Sequence, residues 1–445
     1  MKNVLKKIGK VCAWFFGIFF GVLAVLCVIT LAWGDVQRWR GAVTESLPQT
    51  PEDFVPTVRL IAFCDSHNEN ENVADAVDTA YTLFDNDPVY AGVDGIFGIG
   101  DFSSVGFEGD YQAFSEVLFS HVRKETPCIN VIGNHEFKQS YYNDLFAKYF
   151  PNEPNCVTEI NGFSCIAFSG DRSLTEWTFT PSSLKWLSDA VKEAEAKADG
   201  KPVFVFQHPH PWGTVYGSTV WGTPQLNVIF SQYSNIVDFS GHSHFPMNDP
   251  RSINQSLYTA VGCGATARFE LDNNYIVGQH PDGYDTAAEM CVIEANNDGA
   301  VRIRGYDLNS DTWFCDYFVA NVNDRSTFAY TYKNMKAHDS APVFRDDAKA
   351  TAYRNENGEW VISFDEAKSN FIVHDYKVII KDKNGKRIFS KNFVDDYFVI
   401  DEDDTADFRI GTDTLTSGES YTLRVRGESA YHLYSGWVEI PFQAQ

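Results

Sequence analysis

Five short apolar runs between residues 58 and 240 are separated by loops and by stretches with helical periodicity. Strands that are buried on both faces have this length and texture, and they alternate with helices in α/β proteins. The sequence therefore predicts a mostly buried α/β sheet core. The five runs are VRLIAF, DGIFGI, PCINVI, PVFVFQ and NIVDFS.

The clearest predicted helix lies within the segment SSLKWLSDAVKEAEAKADG, residues 182–200. Leu184, Leu187 and Val191 share one face at helical spacing, which gives this segment an apolar stripe. A serine at position 182 or 183 can cap the first turn. Gly200 is expected to end this helix.

The pattern changes at about residue 337 to alternating strands with turn signals and no helix between them. Asn384-Gly385 is a typical hairpin turn. We expect an all-β sandwich over residues 337–445. The stretch LTSGESYTLRVRGES resembles the end of a fibronectin type III domain, with Tyr421 at the position of a tyrosine corner and Trp360 as a core tryptophan.

Residues 11–33 contain no charged side chain, and as a helix they would span about 30 Å of hydrocarbon. Lysines precede this run and Asp35 follows it, so the N-terminus is expected to stay cytoplasmic. The run is longer than a signal-peptide core of about 7–15 residues. We expect a single-pass plasma-membrane anchor with an extracytoplasmic body; cleavage as a signal peptide is the alternative and would release a secreted protein.

These patterns divide the chain into four segments. The chain combines 44% hydrophobic and 15% aromatic residues, which is ample for packed cores, with a formal charge of −24 that repels polyanions. This charge argues against nucleic acid as the main partner. The nine cysteines show no CxxC spacing, and we expect free thiols. The segments are a Lys-rich tip and anchor (1–34), a linker (35–57), an α/β domain (58–336) and a β-sandwich (337–445).

Each of the five apolar runs leads into a potential metal ligand. Loops at the carboxyl ends of strands in an open α/β sheet converge, so these side chains are expected to meet. Imidazole, carboxylate and amide groups suit manganese, iron, zinc or cobalt, and the absence of cysteine ligands argues against a structural zinc site. On an extended segment, His242 and His244 would point to the same side. The loops contain Asp65-Ser66-His67, Gly100-Asp101, Gly133-Asn134-His135-Glu136, His208-Pro209-His210 and Gly241-His242-Ser243-His244.

The ordered set D-x-H, G-D, G-N-H-E, H and G-H-x-H resembles the calcineurin-like metallophosphoesterases over roughly residues 58–320. The resemblance implies a four-layer αββα sandwich with two transition-metal ions, manganese, iron or zinc. Asp101 would bridge the two ions. By motif position, the first ion would be held by Asp65, His67, Asp101 and His244, and the second by Asp101, Asn134, His208 and His242.

Two ions about 3.5–4 Å apart would lower the pKa of a bridging water, whose hydroxide attacks phosphorus in line. His135 matches the family histidine that assists the leaving group without binding metal. Asn134 and His210 are candidate substrate contacts. Ser104 stands where the family often has an acidic or amide residue, and we expect it to tune the site.

The resemblance implies a membrane-anchored hydrolase of small phosphate esters. Two other functions stay open from the residues. One is a metal-holding module without activity, whose C-terminal domain binds a cell-surface or wall component. The other is a metal-dependent nuclease of the same fold, which the acidic body disfavours.

Overall fold

The computed structural model describes residues 40–172, 178–273, 277–400 and 404–445. The expected anchor at residues 11–33 lies outside these ranges. Within them, no helix combines the length and the apolar character that crossing a bilayer requires. Residues 40–57 lie against the α/β domain, where the Thr44 backbone N–H donates to Asn334 Oδ1 (2.7 Å) and the Phe54 ring packs edge-on against Phe318.

Fourteen described strands belong to the N-terminal domain. They are β1 (Val58–Phe63), β2 (Gly95–Ile99), β3 (Cys128–Val131), β4 (Asn155–Ile160), β5 (Phe163–Phe168), β6 (Val203–Gln207), β7 (Ile236–Ser240), β8 (Ile253–Gln255), β9 (Thr259–Gly262), β10 (Leu271–Asp272), β11 (Val277–Gln279), β12 (Glu289–Ala295), β13 (Val301–Asp307) and β14 (Thr312–Val319). The five strands that the apolar runs predict are β1, β2, β3, β6 and β7, so those predictions are confirmed.

The helices of this domain lie between its strands along the chain or follow the last of them. They are α1 (Asn70–Phe84), α2 (Glu108–His121), α3 (Tyr142–Tyr149), α4 (Pro181–Lys197), α5 (Ser218–Trp221), α6 (Pro224–Phe230) and α7 (Tyr332–His338), with short 3-10 helices at Glu136–Lys138, Tyr284–Thr286 and Arg325–Thr327.

Two six-stranded sheets stack face to face and bury the central core between them. One has the order β14-β13-β12-β1-β2-β3 and the other β4-β5-β6-β7-β9-β8. Phe97 of β2 stacks on Phe206 of β6, with ring centroids 3.7 Å apart. Helices α1, α2 and α3 cover the outer face of the first sheet, and α4 and α6 cover that of the second. The layers therefore run helix, sheet, sheet, helix, as the resemblance implies.

Helix α4 confirms the predicted helix with one correction at its start. The prediction that Ser182 or Ser183 caps it is wrong, because the cap is Thr180, whose hydroxyl accepts from the Ser183 N–H (3.3 Å). Pro181 follows the cap at the first helical position, where a missing N–H costs nothing. Ser183 Oγ instead accepts from the Asp171 N–H (2.8 Å) and ties the helix to the preceding loop.

The C-terminal domain is built of strands in two sheets, ordered β15-β16-β19 and β18-β17-β20-β21. Asn384-Gly385 forms the turn between strands Val373–Asp382 and Arg387–Val394, as predicted, with Gly385 at φ +77°. The strands are β15 (Ala350–Arg354), β16 (Trp360–Asp365), β17 (Val373–Asp382), β18 (Arg387–Val394), β19 (Thr405–Ile410), β20 (Ser420–Ser429) and β21 (Val438–Gln443).

The core of this domain lies between its two sheets and surrounds Trp360. That side chain is fully buried, and its Nε1–H donates to Leu415 O (3.1 Å). The Tyr421 hydroxyl accepts from the Thr416 N–H (2.9 Å), a bond back to the chain five residues upstream. Trp360 thus lies in the core, and Tyr421 bonds back to the chain as a tyrosine corner does. That this domain is related to fibronectin type III domains stays a prediction. The seven described cysteines are free thiols.

Candidate metal centre

The loops that follow β1, β2, β3, β6 and β7 meet at one edge of the two facing sheets. They bring all seven predicted metal ligands together, and six of these are buried while His242 is half-buried. Parallel pairing within each sheet places the carboxyl ends of these strands side by side, which explains the convergence. The ligand candidates are Asp65, His67, Asp101, Asn134, His208, His242 and His244.

One group of ligand atoms comes from Asp65, His67 and His244. Nε2 of His244 lies 3.0 Å from Asp65 Oδ1 and 3.1 Å from Nε2 of His67. His67 Nε2 lies 3.9 Å from the same carboxylate oxygen. Two imidazole nitrogens and a carboxylate oxygen therefore face one small space.

A second group comes from Asp101, His208 and His242. Nε2 of His208 lies 3.1 Å from Asp101 Oδ2 and 3.1 Å from the amide oxygen of Asn134. The ring of His242 lies 5.0 Å from that of His208, centroid to centroid. The two groups adjoin, since His208 Nε2 is also 3.9 Å from Asp65 Oδ1.

The hydrogen bonds of the histidines show that this donor set fits metal ions. Nδ1 of His208 lies 2.8 Å from Ile99 O, and Nδ1 of His244 lies 3.0 Å from Arg268 O. A carbonyl oxygen only accepts, so each Nδ1 donates. In the neutral ring that metal binding requires, the lone pair of each Nε2 would face the other acceptors. Acceptors about 3 Å apart suit a cation with bonds of about 2.0–2.2 Å.

The pKa values of His208, Asp101 and His67 are shifted by the charged groups that are buried together in the centre. Burial lowers the pKa of His208, but the carboxylates of Asp101 and Asp65 outweigh it and raise that pKa to about 9. Burial raises the pKa of Asp101, yet His208 and its hydrogen bond hold it well below the usual range. Burial and the His244 ring lower the pKa of His67 to about 3. The centre therefore favours positive charge beside Asp101 and keeps His67 neutral, ready to ligate.

The backbone of the ligand loops is left-handed at five of the seven candidate positions, a conformation that costs non-glycine residues free energy. The expectation that His242 and His244 share one side of an extended segment is wrong. Their φ angles of +76° and +53° form a tight turn after β7, and this turn delivers each ring to a different group. The other three ligand candidates with left-handed backbone are Asp65, His67 and Asp101.

Two glycines permit the close approach of the loops. A Cβ on Gly133 would collide with the Asp101 carboxylate, and one on Gly241 would collide with that of Asp65. Both motif glycines are therefore needed for space beside the ligands.

Glu136 supports the centre, although no role was predicted for it from the sequence. Its fully buried carboxylate accepts the backbone N–H groups of Asp101 (3.0 Å), Ser103 (2.9 Å) and Gly133 (2.7 Å). Burial and the Asp101 charge raise its pKa to about 8. The only sequence signal was its position after Gly133-Asn134-His135, which does not show that it joins two loops.

His135 lies at the open side of the centre. Its side chain is 23% exposed, Nε2 lies 3.9 Å from Asp101 Oδ2, and its ring is 4.6 Å from that of His67. Nδ1 lies 2.7 Å from Ser104 O and 2.9 Å from Nζ of Lys138. These contacts at Nδ1 leave Nε2 directed toward the ligand groups.

Ser104 connects His135 with the first ligand loop. Its hydroxyl donates to His67 O (3.0 Å), and its backbone N–H donates to Asn68 Oδ1 (2.8 Å). Ser104 O meanwhile faces the His135 ring. Through these contacts, Ser104 can influence the positions of His67 and His135, as the predicted tuning of the site requires.

His210 lies beneath the centre. It is 1% exposed, and its ring nitrogens lie 2.7 Å from Ser240 Oγ and 2.6 Å from Ser243 Oγ. Burial lowers its pKa to about 3. Because both nitrogens are engaged by serines, the geometry gives His210 a role in holding the His242–His244 turn and leaves no nitrogen for substrate.

Residues 58–246 match the family model of the calcineurin-like phosphoesterases. The match starts at β1 and ends just beyond His244, so it includes every ligand loop of the centre. It supports a phosphoesterase hydrolase domain, which we call the phosphoesterase domain. A search of curated proteins gave no match.

Several solved structures are similar to this chain at low identity. A purple acid phosphatase from yellow lupin (Lupinus luteus) seeds is 13% identical with a TM-score of 0.39, over 59% of this chain and 53% of that one. The chain thus spans about half the length of the lupin protein. A cold-active protein-tyrosine phosphatase of a Shewanella species is 14% identical (TM-score 0.28; 62% and 87%). Chicken CNTN1 FN1–FN3 domains are 12% identical (TM-score 0.18; 35% and 42%).

Proposed function

We propose that this protein is a dinuclear metal-dependent hydrolase of small phosphate esters. The observation that carries the proposal is the arrangement of ligand atoms in two adjoining groups, one around Asp65 and one around Asp101. Such a pair of groups matches the need of phosphoryl transfer for two cations near the transferred group. The family match over residues 58–246 supports the same reaction class.

Seven side chains would hold the two ions. Bound there, the ions would supply an activated water and positive charge for the phosphoryl oxygens. The protein orients the ligands. Ile99 O fixes the ring of His208 and Arg268 O fixes that of His244. Glu136 holds the loops that contain the ligands. The first ion would be held by Asp65, His67, Asp101 and His244, and the second by Asp101, Asn134, His208 and His242.

His135 is proposed to protonate the leaving oxygen or to stabilise its charge. Its Nε2 faces the centre, while the contacts of Nδ1 with Ser104 and Lys138 restrain the ring. An imidazole exchanges a proton near neutral pH, which suits this task. Asn134 is proposed to contact substrate as well as metal. It lies in the loop that contains His135, and while its amide oxygen binds metal, its amide nitrogen can donate to substrate.

We also propose an extracytoplasmic location at the plasma membrane. The uncharged run 11–33, with lysines before it and Asp35 after it, supports a single-pass anchor with a cytoplasmic N-terminus. The C-terminal domain would then act as a fibronectin type III-like module that meets cell-surface or wall components. Protease treatment of intact cells tests the orientation: the body should be cleaved, and full protection would contradict it.

A panel of phosphate monoesters and diesters tests the activity. The full chain, supplied with manganese, is expected to hydrolyse a chromogenic phosphate ester and to lose this activity with a chelator. Nucleotides, cyclic nucleotides and glycerophosphodiesters compared by kcat/KM would define the substrate class. Activity unaffected by thorough chelation would contradict the metal-dependent mechanism.

A further inference from the structure

A second cluster of carboxylates lies in the C-terminal domain, away from the dinuclear centre. Glu366 follows β16, and Asp395 and Asp396 follow β18. One carboxylate oxygen from each of the three lies within 4.8 Å of the others. Since two separate strands end at this point, the cluster is assembled by the fold of the sandwich.

Asp395 is the buried member of this cluster. Its side chain belongs to a residue only 5% exposed, and within the described ranges its Oδ1 has no hydrogen-bond partner. A buried carboxylate oxygen without a partner is costly unless a cation or proton compensates it. Burial, together with Glu366 and Asp396, raises the pKa of Asp395 well above its usual range.

Basic side chains beside the cluster are paired with other carboxylates. Lys368 Nζ lies 2.9 Å from Asp404 Oδ1, and Arg345 Nη2 lies 2.8 Å from Asp365 Oδ2. Each of these ion pairs is exposed or half-exposed, so it neutralises charge at the rim of the domain. When Asp395 is ionised, its buried oxygen therefore needs a different counter-charge.

We propose that Glu366, Asp395 and Asp396 bind one Ca²⁺ ion. The three ligands are all carboxylates, which suits a hard cation, whereas the imidazole-rich centre of the phosphoesterase domain suits transition metals. Calcium tolerates irregular oxygen geometry and accepts water in its remaining positions. This site lies outside the segment that matches the phosphoesterase family and is independent of the proposed hydrolysis.

The ion would also order the contact between the two domains. Tyr397 and Phe398 directly follow the ligands; Tyr397 O accepts from Asn248 Nδ2 (2.6 Å), and the Phe398 ring lies 5.4 Å from that of Phe269. Phe398 and Phe245 belong to one buried apolar cluster. Fixing Asp395 and Asp396 would therefore fix the segment that docks on the loop after the His244 ligand.

Calcium titration of the full chain by calorimetry, with the dinuclear centre loaded with manganese, tests the site. We expect one site with a Kd of about 10⁻⁴–10⁻³ M, in the range of extracellular calcium modules, and weaker Mg²⁺ binding. Asp395→Asn and Glu366→Gln should each weaken calcium binding by about tenfold or more, because each removes a charged ligand. Asp413→Asn, at an exposed position of the same domain, is the matched control and should bind like the wild type.

Thermal unfolding in the same samples separates calcium binding from a purely structural effect. Without calcium, Asp395→Asn should be as stable as the wild type or more so, because like charges are removed; with calcium, only the wild type and Asp413→Asn should rise in Tm. Asp101→Ala should keep the calcium site. No calcium binding by the wild type, equal binding by Glu366→Gln, or tighter Mg²⁺ than Ca²⁺ binding would overturn the proposal, even if Asp395→Asn failed to fold.

Discussion

The ligand edge of the phosphoesterase domain and the core around Trp360 in the C-terminal sandwich differ in the polar groups that they bury. Between the sandwich sheets, the core around Trp360 is apolar and its one indole N–H is satisfied by a nearby carbonyl. At the edge of the phosphoesterase sheets, charged and imidazole groups are buried together on left-handed backbone. Such an arrangement opposes folding and persists because the two sheets overdetermine it, and it coincides with the proposed metal centre.

The largest effect should come from Asp101, the residue proposed to bind both metal ions. Asp101→Ala is expected to remove both metals and lower kcat/KM by about 10⁴-fold or more, since metal ions supply several kcal/mol to the transition state. Metal analysis and kinetics on the same sample check this. Asp75→Ala, on the exposed side of α1, is the control. Two bound metals with normal turnover in Asp101→Ala would refute the shared role.

His135 separates catalysis from metal binding. His135→Ala should keep both metals and lower kcat by about 10²–10⁴-fold, the usual contribution of a positioned proton donor. Its Nδ1 contacts lie on the open side, so the ligand loops should stay intact. Full activity, or loss of metal together with activity, would show that His135 has been assigned the wrong role.

A substitution of Trp360 tests the apolar core of the C-terminal sandwich. Trp360→Ala should destabilise the C-terminal domain by about 3–5 kcal/mol, because it empties the centre of an apolar core. The metal content of the phosphoesterase domain should not change under conditions where that domain stays folded. Denaturant unfolding followed with metal analysis measures both. A metal centre that fails at the same denaturant concentration as the sandwich would show that the two regions are not separable.

The metal-free protein should show the charge balance of the centre in its pH dependence. The pKa of His208 is raised from 6.5 to about 9 in the folded state, so its stabilising contribution is complete below about pH 6.5 and disappears as pH rises through 9. The loss should be on the order of a few kcal/mol. Unfolding of metal-free wild type and His208→Gln between pH 6 and 9.5 checks it; equal slopes would disprove the assignment.

Much of this picture was predictable from local sequence. Strand β1 and its neighbours were visible as apolar runs, and candidate ligands were visible at the strand ends. The choice of seven ligands among these candidates came from the resemblance to the calcineurin-like metallophosphoesterases. The roles of Trp360 and Tyr421 were implied by the resemblance to a fibronectin type III domain. The strands and the motifs themselves depend on short-range periodicity and residue type, which a sequence shows directly.

The rest depends on contacts between distant segments. Glu136 links loops 35 residues apart, and only the folded chain shows its three N–H partners. The turn at His242 and His244 replaced an extended segment because the Asp65 carboxylate captures the His242 N–H (2.8 Å). The position of His210 could not be predicted, because proximity in sequence does not reveal the two serines that enclose its ring.

Anomalous diffraction from crystals of the manganese-loaded protein tests the central claim most directly. We predict two metal peaks at one edge of the stacked sheets, one bound by Asp65, His67 and His244, the other by Asn134, His208 and His242, with Asp101 bound to both. One peak, or peaks that do not contact these residues, would contradict the dinuclear centre.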